Sequence, residues 1–245
     1  MLRRAENLLR VVRRDGPLLV GTALLVLFGA WLRAVDLGFP KELTWDEHHF
    51  VLNARNYLTH QHDWNDHPPL GKLLMVLWVW LFADESFGFR FSSLLFGFGN
   101  IFVARALAIA LYRDRRAGWL AAAFVAADGF LISYSRTALL DGVLTTFVLL
   151  VAWLAVTARS PGRVLMTAVF IGCAANIKES GFGLGLPVLL LWAGRPRPVL
   201  RAAALALAPV TFAACSSLGL FIARDHYGPS DVLRTTLKFL SDHAA

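Results

Sequence analysis

Long apolar runs separated by short arginine clusters constrain this chain more than any other feature. Runs at residues 16–32, 91–112, 117–135, 142–158, 164–177, 181–194 and 199–223 carry few charges. In a bilayer the backbone N–H and C=O groups must be bonded within the segment, so runs of this length fold as helices. A chain that is 57% hydrophobic, with mean hydropathy +0.56, holds more apolar residues than a soluble core hides. The sequence therefore predicts an all-α polytopic membrane protein with about seven transmembrane helices.

One shorter run, 73–82, fixes the topology. Its ten residues cover about half of a ~30 Å hydrocarbon core at ~1.5 Å per residue. It reads as an interfacial helix with Trp78 and Trp80 at headgroup depth. The basic head and the segments 113–116, 159–163 and 195–201 then share one side and hold 13 of the 24 Lys and Arg. Such enrichment marks the cytoplasmic face, so the N-terminus is expected there. The net charge of +7 and the pI near 10.0 thus belong to cytoplasmic loops, and nucleic acid is not expected as a partner. Run 16–32 is long for a signal peptide and no small-residue cleavage site follows it, so it is expected to stay as the first span. Cys173 and Cys215 both fall in apolar runs, which argues against a structural disulfide. With no internal repeats, one membrane domain is expected. It comprises a cytoplasmic head (1–15), an external loop with juxtamembrane helices (36–89), further spans (90–223) and an external tail (224–245).

This topology gathers the chemistry-bearing side chains on the external face. Thr44-Trp45-Asp46-Glu47 fits a capping box, with Thr44 capping a helix and Glu47 reaching back. That role accounts for Glu47 better than for Asp46, a second acid the turn does not need. Asp46 is the candidate base for taking a proton from an attacking hydroxyl, with Glu47 beside it. His48, His49, His60, His62 and His67 crowd one loop with Asp63 and Asp66. Their spacing fits no standard zinc pattern, so no metal is expected. Asp66-His67-Pro68-Pro69-Leu70-Gly71-Lys72 is stiffened by its prolines. It is either a loop-to-helix junction or a fixed loop offering His67 and Lys72 to an anionic ligand. Arg90, at the head of the second span, either snorkels or contacts a phosphate. Lys178 either pairs with Glu179 or provides a second phosphate contact. Asp141 is expected to cap the fourth span with Arg136 neutralising it. Arg105 is expected to snorkel, and Asp128, near the external end of the third span, is an unexplained intramembrane acid and so a functional suspect.

Taken together, Asp46-Glu47-His48-His49-Phe50, His67-Pro68-Pro69-Leu70-Gly71-Lys72, Phe89-Arg90-Phe91, the 135–141 segment Ser-Arg-Thr-Ala-Leu-Leu-Asp, and the stretch from Gly172 through Lys178 to Gly181 resemble the amino-terminal half of the protein O-mannosyltransferases. These are C-type membrane glycosyltransferases of family 39. Order and spacing agree over roughly residues 17–190. The His-Pro-Pro-Leu-Gly-Lys segment after an Asp-Glu loop is the specific part. The resemblance implies a polyprenyl- or dolichyl-phosphate-linked mannose as donor and Ser or Thr hydroxyls of an exported protein as acceptor. It also implies inversion at the anomeric carbon, no cofactor, Asp46 as the acid–base residue and Arg90 as the donor-phosphate contact. His67, Lys72, Arg136, Asp141 and Lys178 join them as substrate-binding candidates. The expected location is a bacterial plasma membrane with the site outside. Members of the family continue with further spans and a later external region. The alternatives are therefore a fragment or inactive subunit, a site completed by a partner chain, and a related transferase acting on a lipid or envelope polymer. A transporter fits less well, because the charges lie at span ends.

Overall fold

The computed structural model describes residues 2–60, 67–83 and 85–223, and among these the regular structure is helical throughout. The helices are α1 (Leu2–Ala34), α2 (Glu47–Leu58), α3 (Leu70–Phe82), α4 (Ser86–Tyr112), α5 (Arg115–Ala127), α6 (Gly129–Tyr134), α7 (Leu140–Thr157), α8 (Pro161–Ala175), α9 (Gly185–Ala193), α10 (Pro198–Ala204) and α11 (Leu207–Ala223). A 3₁₀ turn, Glu179–Leu184, leads into α9. Four segments are long and apolar enough to cross a bilayer: Asp15–Ala34, Ser86–Tyr112, Leu140–Thr157 and Pro198–Gly219. They fall on four of the seven expected spans.

The other three expected spans are built from shorter pieces. Run 117–135 breaks at Asp128, whose carboxylate accepts from the Leu131 amide at 2.7 Å and starts α6 as a new helix. The unexplained intramembrane acid is thus a helix cap, which satisfies an N–H that the break would strand. Run 164–177 is the 15-residue α8, and run 181–194 divides between the 3₁₀ turn and α9. The 73–82 run is the 13-residue α3, about 20 Å long and shorter than the hydrocarbon core. Trp78 of α3 lies in an aromatic cluster with Phe82 and Phe91, while Trp80 is largely exposed.

Helix α4 packs against α3, α5 and α7, while α7 packs on α8 and α8 on α11. Lipid tails are as apolar as Leu, so helices here associate by close packing and polar pairs. Both devices are present. A Cβ at Gly29 would collide with the Ala126 carbonyl, and one at Gly172 with that of Ala208. These two glycines let α1 meet α5 and α8 meet α11 backbone to backbone. Between α4 and α7, the Thr146 hydroxyl donates to Asn100 Oδ1 at 2.8 Å, both side chains buried.

Arg33 and Arg136 fasten the end of α1. Arg33, fully buried, donates from Nη1 to the Ala126 carbonyl and from Nη2 to that of Val125, each at 2.8 Å. Arg136 Nη1 reaches the Leu32 and Val35 carbonyls, each at 2.6 Å. It thereby covers the last-turn acceptors that α1 leaves open. Arg105 lies over the Trp119 ring at 4.2 Å, a cation–π contact where snorkelling was expected.

Substituting Gly172 by Val should lower the melting temperature of the protein in detergent, by the ~1–3 kcal/mol typical of overpacking. Gly162→Ala, at a position with open space around it, should be nearly silent in the same thermal scan.

Candidate functional site

The site end of the molecule is organised by one buried ion pair. Glu47 opens α2 and is fully buried; Arg90, in the second turn of α4, is 1% exposed. Arg90 Nε and Nη2 donate to Glu47 Oε1 and Oε2, both at 2.8 Å, a bidentate fork. The carboxylate also accepts from the Thr44 amide (2.8 Å), the Thr44 hydroxyl (2.9 Å) and the Ala138 amide (2.7 Å). The backward reach of a capping box is thus present, but the Thr44 hydroxyl donates to the carboxylate instead of capping the helix. Burial, the largest single influence, pushes the Glu47 carboxyl up. The Arg90 hydrogen bonds, the Thr44 and Ala138 amides and the Arg90 charge together outweigh it, holding the carboxyl below its usual range.

Arg90 has no donor to spare. Its Nη1 reaches the carbonyls of Pro40 (2.7 Å) and Leu37 (3.3 Å), and Nη2 also reaches that of Glu42 (3.2 Å). The expected contact with a donor phosphate is therefore not available to it in this arrangement. Arg90 instead folds the 37–42 loop over the start of α4.

Around this pair, α2, α3, α4, the start of α7 and Ile177 share one apolar core that includes Phe50, Val51, Met75, Phe89, Leu140 and Val143. Each polar candidate is close in sequence to a member of it, so the core brings them to one end of the bundle. Lys178 follows Ile177, and its Nζ donates to Asp141 Oδ1 at 2.8 Å, with both side chains part-exposed. This corrects two expectations. Asp141 is paired with Lys178, whereas Arg136 caps α1. Asp141 is also not the cap of α7, since the N-cap is Leu139 and Asp141 is the second helical residue. Glu179 faces His67 Nδ1 at 3.6 Å and makes no pair with Lys178. His67 stacks on Phe50, and the buried Lys72 Nζ donates to the His67 carbonyl at 2.6 Å, tying down the Pro-Pro turn.

Asp46 stands apart from the other acids. It precedes α2 directly, is exposed, and its carboxylate makes no hydrogen bond or ion pair among the described residues. Beside it, His48 Nδ1 lies 2.7 Å from the Trp45 carbonyl and the rings of His48 and His49 are 3.8 Å apart. No group of three His, Cys, Asp or Glu able to hold a metal occurs among the described residues; His62, Asp63 and Asp66 lie outside them.

Sequence reasoning missed Asn176. Its Oδ1 accepts from the Leu70 amide at 3.0 Å, and its Nδ2 donates to the Phe212 carbonyl and the Ser216 hydroxyl. It joins the head of α3 to α11. An asparagine inside an apolar run was the available signal.

The family profile described as "Dolichyl-phosphate-mannose-protein mannosyltransferase" matches residues 23–195. The chain belongs to this family. A polyprenol-phosphate-mannose–protein mannosyltransferase of Mycolicibacterium smegmatis is 30% identical over 178 residues, covering 68% of this chain and 34% of that protein. Dolichyl-phosphate-mannose–protein mannosyltransferase 6 of Saccharomyces cerevisiae is 26% identical over 188 residues, covering 66% and 25%. The fold is that of part of one chain in the structure of the S. cerevisiae protein O-mannosyltransferase Pmt1-Pmt2 complex bound to the sugar donor. That match has a TM-score of 0.64 at 19% identity and covers 93% of this chain and 34% of the other. This chain thus spans between a quarter and a third of the length of these relatives.

Removing one partner of a buried pair leaves the other charge uncompensated, at ~3–5 kcal/mol. Glu47→Gln and Arg90→Gln should each destabilise the protein on that scale in denaturant titrations. Because the folded carboxyl of Glu47 lies below its unfolded value of ~4.3, its contribution is complete above that pH. It is lost as pH falls through the folded value. Acid unfolding of the wild type should therefore be steeper than that of Glu47→Gln.

Proposed function

We propose that this chain carries the catalytic-base side of a mannosyl transfer from a polyprenyl- or dolichyl-phosphate-linked donor to Ser or Thr hydroxyls of exported proteins. One observation carries the assignment of the base: of Asp46, Glu47, Asp141 and Glu179, only Asp46 is both exposed and without a partner among the described residues. Its neighbour Glu47 is locked against Arg90, so the rim that presents Asp46 is rigid. The acceptor oxygen attacks the anomeric carbon and passes its proton to Asp46. The bond to the phosphate oxygen breaks, and the electron pair leaves with the lipid phosphate. Attack opposite the leaving group inverts the anomeric centre, and no cofactor is needed.

The leaving phosphate calls for a cation. Lys178 is suited to it, being part-exposed and held, among the described residues, by Asp141 alone, whereas Arg90 is fully engaged. Lys72 and His67 hold the loop that borders the site, and Arg136 holds α1 beneath it. The membrane orientation follows the positive-inside rule, with the arginine-rich end in the cytoplasm and Asp46 outside, in a bacterial plasma membrane. A partner chain is a further expectation, supported by the two-chain assembly named for the structural relative.

Transfer of labelled mannose from polyprenyl-phosphate mannose to a Ser/Thr-rich peptide tests the reading. Asp46→Asn should lower the rate by ~100-fold or more with insertion and melting unchanged; a fully active variant removes Asp46 as the base. Lys178→Ala should weaken donor affinity on the order of tenfold, as expected for a charge-assisted contact. Arg90→Lys should instead show its loss in thermal stability, with donor affinity falling no further than the folded fraction does.

A further inference from the structure

A second constellation lies at the far end of α7, about 27 Å from the Glu47 pair along that helix. The loop between α7 and α8 and the loop before α10 meet there and enclose a cleft of about 440 Å³. Arg159, Ser160, Arg197 and Arg201 supply its polar wall, while Val164 and Leu200 are among its apolar lining. No carboxylate of the described residues lines it. Among the described residues, Arg159, Arg163, Arg195, Arg197 and Arg201 form no ion pair. The contrast is with Arg116, whose charge is met by Asp15.

Some of these arginines are structural. Arg201 donates from Nε to the Pro196 carbonyl and from Nη1 to that of Ala158, each at 3.0 Å, and lies over the Trp192 ring. Arg195 bonds the Ala155 and Val156 carbonyls. Burial first, then the nearby Arg201 and Arg159 charges, depress its affinity for the proton, a sign of how crowded the cluster is. Arg159 and Arg197 differ, since their guanidinium groups bond nothing among the described residues. Unopposed like charge disfavours a compact arrangement unless an anion completes it. The apolar surface beside the cleft narrows the choice of anion. Val199 and Leu200 are exposed and lie on α10, within the membrane-length segment Pro198–Gly219.

We propose that this cleft is a binding site for an anionic phospholipid of the leaflet opposite Asp46. The headgroup phosphate is held by Arg159, Arg197 and Arg201, and the acyl chains lie along the exposed Leu165 and Leu200. The phosphate takes the N–H groups left free by the two unbonded guanidinium groups, a recognition that arginine's planar fork suits better than lysine. The site is independent of mannosyl transfer and uses none of the residues assigned to it.

The test is a titration of the detergent-solubilised full chain with phosphatidylglycerol and, separately, phosphatidylcholine, read by native mass spectrometry. Phosphatidylglycerol should bind saturably and phosphatidylcholine should not. Arg159→Gln and Arg197→Gln should each weaken binding roughly fivefold, and the pair roughly 25-fold. Each single variant is titrated alone, so misfolding of the pair leaves the test intact. Arg115→Gln removes one charge from the same end of the molecule but outside the cleft, and should bind like wild type. Equal affinity for both lipids, unchanged affinity in the single variants, or an equal loss in Arg115→Gln would each overturn the proposal. So would inorganic phosphate displacing phosphatidylglycerol at matched concentration, which would assign the site to a free anion.

Discussion

The Glu47–Arg90 pair is the constraint on which the site end depends. Six protein hydrogen bonds run outward from it to three pieces of chain, Thr44, Ala138 and the 37–42 loop, with α2 and α4 supplying the pair itself. Two buried charges are costly to desolvate, and an apolar pair of equal volume often serves stability as well. What the pair supplies is geometric specificity. A fork needs both of its bonds aligned, so α2 cannot slide or rotate relative to α4 without stranding a charge. Asp46, one residue earlier, inherits that fixed position.

Polar groups are distributed in keeping with the bilayer. Between its ends the bundle carries small neutral pairs such as Thr146 with Asn100, which satisfy each other and permit close packing. Ionic groups sit at the two ends, with opposite character. At the Asp46 end acids and cations are interleaved and mostly paired. At the arginine-rich end the cations are largely unopposed. The first arrangement suits a site where charge develops and must be met locally, and the second suits a surface held against fixed anions.

Helices, the shortness of α3 and the family were legible in the sequence, because each has a local signature: run length, a run too short to span, and a contiguous His-Pro-Pro-Leu-Gly-Lys segment. The reach of Glu47 back to Thr44 was legible for the same reason. Its bond to Arg90 was not, since a pair separated by 43 positions leaves no mark in either neighbourhood. Arg90 was therefore read as a free cation at a span head. Arg136 was assigned to Asp141 by proximity in sequence, yet the open carbonyls of α1 and the approach of Lys178 decide both partners. Asp128 was concealed by averaging, since a hydropathy window that straddles a capped break registers one run where the backbone makes two helices.

Asn176 has a consequence for how the chain divides. One carboxamide bonds the first amide of α3 on one side and two groups of α11 on the other, and Pro69 leaves no room for a side chain at Gly219. The last described helix is thus a structural wall of the loop that contains His67. A cut at Gly194, the natural place to end a shorter protein, would leave a polar buried asparagine facing an empty trough. That hydrogen-bonded seam, which runs past the last residue of the family match, ties α11 to the head of α3.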